Sequence, residues 1–436
     1  MRKLTRTISG VTPVAVMTLP LKCPGQCIYC PTYTTTPQSY TPESPAVLRA
    51  RKCSYDAKKQ VKLRLKVLSE MGHPTDKVEL IVMGGTFLAY RQDYQYQFIK
   101  DCFDALNGEE SASLEEAKRL NETAKHRCTG LCIETRPDWC QQEEIDRMLE
   151  FGTTRVELGV QTLDDKIYRL VRRGHKVEDV VKATTLLKEH GFKVHYHLKL
   201  YPTMVVEGTE LEKWYQDGRY QPYNDETMIN LIVDIKSLVP KYVRISRVLR
   251  DIPSKFIVGG LKDSLRDVVK QRMMQQAIEC KCIRCREYGH RAQGGWKIGQ
   301  PHMVRMDYEA SGGKEILLSF EDENETLFGL LRMRIQSKSI AKLEEETKGN
   351  LALIRELHIY GPEVPLSQQA PTAAQHKGLG KALLREAERI AGEEFHMERM
   401  VVLSGIGAKE YYHSEFGYSS QGDYMVKKLK PQVMGL

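Results

Sequence analysis

The chain has no apolar run approaching the roughly 20 residues that span a bilayer, and its start, Met1-Arg-Lys-Leu-Thr-Arg6, lacks the apolar stretch of a secretory signal. A cytoplasmic protein with no membrane partner is therefore expected. Also missing is the even cysteine count of a disulfide framework. Six of the 11 cysteines sit in two tight clusters, a usage that suits metal binding and reduced thiols. A large excess of one charge is absent too, since the formal net charge is +8 over 436 residues. What is present is ordinary globular composition, 41 % hydrophobic and 28 % charged, so the chain is expected to fold; its length exceeds what one core usually serves, which predicts two domains.

A fourth ligand is what the first cysteine cluster lacks. Cys23-Pro-Gly-Gln-Cys27-Ile-Tyr-Cys30 puts three thiols inside eight residues, directly after a strand-like run at 14–19, and Pro24 and Gly25 keep the segment from becoming helix. Three thiolates leave one iron of a four-iron cluster open to a small molecule. A structural zinc site, which would recruit a fourth Cys or His nearby, is the alternative. The second cluster, Cys280-Lys-Cys282-Ile-Arg-Cys285, is followed by His290. It reads as structural zinc with His290 as a candidate fourth ligand, against an unmetallated basic turn or a second iron–sulfur cluster.

Strand-like runs at 78–83, 130–134, 155–160, 193–197 and 242–248 alternate with helical patterns such as 141–151, which predicts a parallel sheet with crossover helices. Several runs end in small or polar residues: Met83-Gly84-Gly85-Thr86, Ile133-Glu-Thr-Arg-Pro137 and Glu157-Leu-Gly-Val-Gln161. A βα barrel keeps its ligands at such carboxyl ends. One passage resists the pattern. Lys193-Val-His-Tyr-His197 runs straight into Leu198-Lys-Leu-Tyr-Pro202, whereas parallel neighbours need a crossover of a dozen or more residues. Either this is one long strand or a crossover is missing from the chain as given.

Residues 49–66 carry eight Lys or Arg against the single Asp56, with Val61, Leu65 and Leu68 on one helical face and Lys58, Lys62 and Lys66 on another. The stripe is either a solvated face or a contact for nucleic-acid phosphate. Further basic clusters, at Arg169, Arg172, Arg173 and Lys176 and at Lys281, Arg284 and Arg286, favour nucleic acid. Gly294-Gly295-Trp296 and Pro301 then read as a joint. Beyond it, 316–320 and 326–335 form a predicted antiparallel hairpin, and a strand at 351–360 contains Arg355-Glu356-Leu357-His358-Ile359. Gln375-His-Lys-Gly378-Leu379-Gly380-Lys381 opens an amphipathic helix at 382–391, where backbone N–H groups would converge on a diphosphate.

The C-x3-C-x2-C spacing with an aromatic before the last Cys resembles the cluster loop of radical S-adenosylmethionine (SAM) enzymes, and Gly84-Gly85-Thr86 stands at the position of that family's glycine-rich motif. The order strand, Q-x-x-G-x-G, helix, strand at 400–403, then Lys409-Glu-Tyr411-Tyr412 and Phe416-Gly-Tyr418, resembles the GNAT acetyltransferase fold. Together with Met83-Gly-Gly-Thr-Phe87, Ile133-Glu-Thr-Arg-Pro137, Arg250-Asp-Ile-Pro253 and Arg355-Glu-Leu-His-Ile-Tyr-Gly361, these runs make the whole chain resemble the Elongator catalytic-subunit family, tRNA uridine carboxymethyl transferases, in an archaeal or bacterial form.

That resemblance implies an α/β chain with a partial βα (TIM-like) radical SAM barrel at 1–298, carrying a zinc-binding segment near 280–290, and a GNAT-fold α+β domain at 299–436. It implies a [4Fe-4S] cluster on Cys23, Cys27 and Cys30, S-adenosyl-L-methionine at Gly84, Gly85 and Thr86, and Zn2+ on Cys280, Cys282 and Cys285. For acetyl-CoA it implies Lys77 from the radical side, Glu356, Leu357, His358 and Ile359 as a pairing edge for pantetheine, and Leu379, Gly380 and Lys381 for diphosphate. Tyr412, and less directly Tyr411, would lie near the thioester. The implied partner is the tRNA anticodon stem-loop: an acetyl group becomes a carbon radical, joins carbon 5 of the wobble uridine, and is hydrolysed to carboxymethyl. Thioester and uridine are expected to meet in a cleft between the barrel mouth and the second domain. Two departures stand out. The family's basic N-terminal extension is absent, so weaker tRNA affinity is expected, and the crossover after His197 is short. A protein lysine acetyltransferase and a non-catalytic tRNA-binding scaffold remain alternatives, and a homodimer is left open.

Overall fold

The computed structural model describes residues 7, 9–195, 197–250, 252–260, 265–336, 350–361 and 378–429. Five parallel strands, β1 (Thr12–Met17), β2 (Lys77–Met83), β3 (Arg127–Thr135), β4 (Arg155–Leu158) and β5 (Lys193–His195), pair in sequence order. Helices cover them, as parallel sheets require. The helix Ala57–Glu70, capped by the Asp56 carboxylate on the Lys59 N–H at 2.8 Å, buries Val61, Leu65 and Leu68 on the face expected from their spacing. Its Gln60 amide bonds both backbone groups of Met17 at 2.9 Å, which satisfies the open edge of β1.

The passage at 193–202 resolves in an unexpected way. β5 pairs with β4, whereas β6 (His197–Leu200), one residue later, pairs in parallel with β8 (Arg244–Val248) in a separate two-stranded sheet. β5 therefore ends on one sheet at His195 and β6 begins on another at His197. After β6 in sequence, β7 (Val205–Val206) pairs with β9 (Ile257–Gly259). Among the described residues no helix is long and apolar enough to cross a membrane.

A seven-stranded sheet follows, built from β10 (His302–Ala310), β11 (Gly313–Glu321), β12 (Leu327–Gln336), β13 (Leu351–Ile359), β14 (Arg399–Val402), β15 (Ser419–Gln421) and β16 (Tyr424–Lys428) in the order β10-β11-β12-β13-β14-β16-β15. The predicted hairpin is β11–β12. β10 was not legible: it is a half-exposed edge strand whose outer residues include His302, Arg305 and Glu309. β13 and β14 are parallel neighbours, joined by a connection that includes the helix Leu379–Arg389.

The second sheet docks on the amino-terminal ends of the parallel strands. Gly405 lies flat on β3, where a Cβ would sit 2.2 Å from the Thr129 carbonyl oxygen, and a Cβ on Gly407 would sit 2.4 Å from that of Arg127. Leu351, Leu353, Val401, Ile406, Tyr424 and Val426 share one core with Val78, Leu131 and Phe192. A buried polar seam runs beside it. Glu315, fully buried, accepts from Arg355 at 2.7 Å and Arg334 at 3.2 Å, and Arg355 also donates to the Phe192 carbonyl at 3.0 Å. Lys193 and Arg332 hold the Glu356 carboxylate at 2.7 and 3.5 Å.

Lys188 lies buried at this seam. Burial and the guanidinium charges of Arg355, Arg334 and Arg332 push its ammonium down to about 8, against the pull of Glu315. An unfolded lysine titrates near 10.4. Between these values the unfolded chain binds more protons, so stability rises with pH from about 8 to about 10.4 and the benefit is absent below pH 8. Lys188→Met should flatten that rise. Denaturant midpoints at pH 7.5 and 10 for both proteins check it, and equal pH slopes would contradict it.

Candidate functional site

The first cysteine loop sits at the carboxyl ends of the parallel strands, and two of its thiols are tied to different strand ends. Cys23 Sγ lies 3.5 Å from Thr86 Oγ1 after β2. Arg173 NH1 donates to Cys27 Sγ at 3.5 Å while its NH2 bonds the Gly159 carbonyl after β4. Gln38 Nε2 donates to Cys30 Sγ at 3.4 Å, and Arg250, after β8, donates to the carbonyl and hydroxyl of Ser39 at 2.6 and 2.8 Å. Burial pushes the Cys30 thiol up, opposed by the Gln38 bond and the Arg250 charge. Arg136, after β3, packs against Gly25 and forks onto Asp138 at 2.9 and 2.7 Å. Burial alone would raise Asp138, but the approach of His175 at 3.6 Å and the Arg136 fork hold it at about 2. The guanidinium groups of Arg136, Arg173 and Arg250 thus surround the loop.

Gly84 is required where it stands. Its φ is +136°, and a Cβ would lie 1.9 Å from Thr18 Oγ1. The Tyr90 hydroxyl links that turn to the end of β1, meeting Thr18 Oγ1 at 2.9 Å and donating towards the carbonyls of Leu19 at 2.9 Å and Gly84 at 3.2 Å.

In the second cysteine cluster, the sulfurs of Cys280, Cys282 and Cys285 lie within 4.8 Å of one another. A tetrahedral zinc ion places its thiolates roughly 3.8 Å apart, given Zn–S bonds of about 2.3 Å. The three sulfurs are close to that arrangement already. His290 does not join them; its Nε2 faces the Glu287 carboxylate at 3.4 Å, and burial with the charges of Arg284, Arg244 and Arg266 pushes it down to about 4. The Lys236 ammonium instead faces the thiols, 3.6 Å from Cys285 Sγ.

On the second sheet, β13 and β14 pair only through Leu351–Ile354 and Arg399–Val402, then part. Glu356, Leu357, His358 and Ile359 continue beyond the point of separation. Their side chains are engaged elsewhere: Glu356 in the seam, His358 with the Ser9 carbonyl at 2.5 Å and stacked near Tyr360, and Leu357 and Ile359 against the sheet's core. Gly378, at φ +80°, precedes the helix that begins with Leu379, Gly380 and Lys381. A Cβ on Gly380 would be 3.4 Å from the Tyr411 hydroxyl and 3.7 Å from Ile359, so this helix start, Tyr411 and the end of β13 form one group. Lys381 is ion-paired to Glu415. Tyr412 is packed in the core beside Tyr411 and Tyr418. Gln375 to Lys377 lie outside the described residues. Lys77 opens β2, at the amino end of the sheet. It is roughly 20 Å of strand away from Gly84.

The pattern of the radical SAM superfamily matches residues 17–214, and that of the radical SAM C-terminal domain matches 196–275. A Dehalococcoides mccartyi protein named tRNA uridine(34) acetyltransferase is 60 % identical over 98 % of this chain and its own full length. The chain belongs to the Elongator complex protein 3 family. Elongator complex protein 3 of Homo sapiens is 39 % identical, covering 98 % of this chain and 86 % of its own. The solved structure of the archaeal Methanocaldococcus infernus family protein with an N-terminal deletion superposes with a TM-score of 0.83 at 43 % identity, covering 97 % of this chain and all of its own. The alignment with the Dehalococcoides protein runs over 459 positions, so that relative carries residues with no counterpart among the 436 here. Radical SAM membership implies a [4Fe-4S] cluster and S-adenosylmethionine, and the three thiols with their cationic ring fit that pair.

Sequence reasoning on this Elongator-family chain missed the guanidinium ring. Arg173 was grouped with a surface cluster, yet it is buried against Cys27, and its neighbour Arg172 pairs with Glu210 at 2.7 Å. The basic stripe is likewise reduced: Lys58 is held by Asp101 and Asp104 at 3.3 and 3.5 Å and by Glu110, and Lys66 lies 3.9 Å from Glu70. Arg286 is fully buried on Glu321 at 2.9 Å. The quoted runs Ile133-Glu-Thr-Arg-Pro137 and Arg250-Asp-Ile-Pro253, which contain Arg136 and Arg250, were the signal the sequence offered. Cys27→Ala should abolish iron incorporation and reductive cleavage of S-adenosylmethionine while leaving the far-ultraviolet circular dichroism spectrum unchanged. Retained iron and 5′-deoxyadenosine formation would refute the thiol assignment.

Proposed function

We propose that this chain modifies the wobble uridine of tRNA to 5-carboxymethyluridine, drawing the acetyl group from acetyl-CoA. The observation that carries the reading is the pairing, in one chain similar end to end to a named tRNA uridine(34) acetyltransferase, of a cation-ringed three-thiol loop with a parted parallel strand pair beside a glycine-started helix. A cluster on Cys23, Cys27 and Cys30 with S-adenosylmethionine near Gly84, Gly85 and Thr86 would supply a carbon-centred radical. The backbone of Glu356 to Ile359 would pair with pantetheine amides, and the N–H groups of Leu379, Gly380 and Lys381 would hold the diphosphate. The Tyr411 hydroxyl, by its place beside Gly380, is the better-placed phenol for the thioester, with Tyr412 behind it. Lys77, at the amino end of β2, would approach from the barrel. We assign 1–298 to the radical SAM domain and 299–436 to a GNAT-like domain. Zn2+ would be held by Cys280, Cys282 and Cys285 at the joint, with Lys236 offsetting the thiolate charge.

The test is anaerobic incubation of reduced protein with tRNA, acetyl-CoA and S-adenosylmethionine, followed by mass analysis of the digested nucleosides. Carboxymethyluridine is expected, and acetyl-lysine without modified uridine would contradict the proposal. Tyr411→Phe should lower tRNA-stimulated acetyl-CoA turnover by about 100-fold with tRNA affinity kept. An equal loss of both would remove the phenol from the thioester. For zinc, elemental analysis should find one ion per chain that Cys282→Ala loses together with thermal stability; undiminished zinc in that variant would refute the site.

A further inference from the structure

A cavity of about 470 Å3 opens at the carboxyl end of β8, bordered by the guanidinium groups of Arg247, Arg250, Arg266 and Arg284. Among the described residues, Arg250, Arg266 and Arg284 have no carboxylate at ion-pair distance: Arg250 is bound to Ser39, and Arg266 donates to the Ser246 carbonyl at 3.0 Å. Glu287, the acid that acts on Arg284, is engaged by Arg244. Like charges gathered round a cavity repel one another, and packing alone gives no reason to collect them. The backbone there is also strained. Leu249 holds φ at +117°, a region L residues rarely adopt, with its N–H on the Leu200 carbonyl at 3.1 Å. Such strain concentrates at ligand sites.

Arg250 borders the cavity and also anchors Ser39, whose neighbour Gln38 bonds Cys30 of the three-thiol loop, so cavity and loop are linked through one arginine. Planar guanidinium forks match phosphate oxygens in pairs. The apolar lining is Val248, Leu249 and Leu265, so among the described lining residues there is no aromatic platform for a base. We propose that Arg247, Arg266 and their neighbours seat a backbone phosphodiester of the RNA substrate, next to the nucleotide presented to the radical source. This assignment rests on the tRNA reading above and adds residues that it does not contain.

The test uses full-length protein and fluorescently labelled anticodon stem-loop RNA, with affinity measured from 50 to 300 mM salt. In Arg247→Gln/Arg266→Gln the slope of log affinity against log salt should fall by about 1, with affinity at low salt down about tenfold. Arg266→Lys should retain most of both. Iron and zinc content and RNA-independent cleavage of S-adenosylmethionine should match wild type, a result that a merely structural role would not give. An unchanged slope in the double variant, or loss of metal along with affinity, overturns the assignment while leaving tRNA as substrate. Displacement of RNA by inorganic phosphate at matched ionic strength would mark a free-phosphate site and also overturn it. Failure of the wild-type protein to bind the RNA overturns this inference and the tRNA reading together.

Discussion

Arg355 joins the two sheets. It pairs with the fully buried Glu315 of its own sheet and from there donates across the seam to the Phe192 carbonyl, so a shift of one sheet on the other strips a hydrogen bond from a buried ion pair. Breaking such a pair from one side costs several kcal/mol, typically about 3–5. Beside it, Gly405 and Gly407 bring one backbone onto another at β3, a contact no larger residue would permit. These two constraints close the amino ends of the parallel strands with protein. The carboxyl ends are left as the barrel's working mouth.

The consequence is a separation of chemistries. The thiol loop, Gly84-Gly85-Thr86 and the arginine-lined cavity lie at the carboxyl ends, whereas the parting of β13 and β14, the helix start at Gly378 and Lys77 belong to the opposite side. β3 alone spans nine residues, roughly 26 Å of strand, between the Gly407 contact and the Arg136 contact. The acetyl transfer proposed above has to cover that depth.

Charge runs were the least reliable guide. Lys58, Arg172 and Arg286 all belong to basic stretches, and all three are neutralised by carboxylates once the chain folds. Arg173, from the same basic stretch as Arg172, and Arg250, from outside those stretches, instead face the thiol loop. Nothing local distinguishes an arginine paired across 30 or 200 residues from one in solvent, because its partner comes from a remote strand end.

Local signals determined a good deal. Period-two and period-four burial in β2 and in the helix Ala57–Glu70, the clustering of Cys23, Cys27 and Cys30 after β1, the strand-end glycines and the helix start at Gly378 follow from neighbouring residues, and family resemblance ordered them along the chain. Tertiary structure decided what depends on distant contacts. The passage of 193–200 from one sheet into another, the edge strand β10, the docking of the second sheet on the amino ends and the placing of Tyr411 rather than Tyr412 beside Gly380 all rest on pairings between segments far apart in sequence. Hydrophobic pattern sets which face of an element is buried, but not which partner buries it.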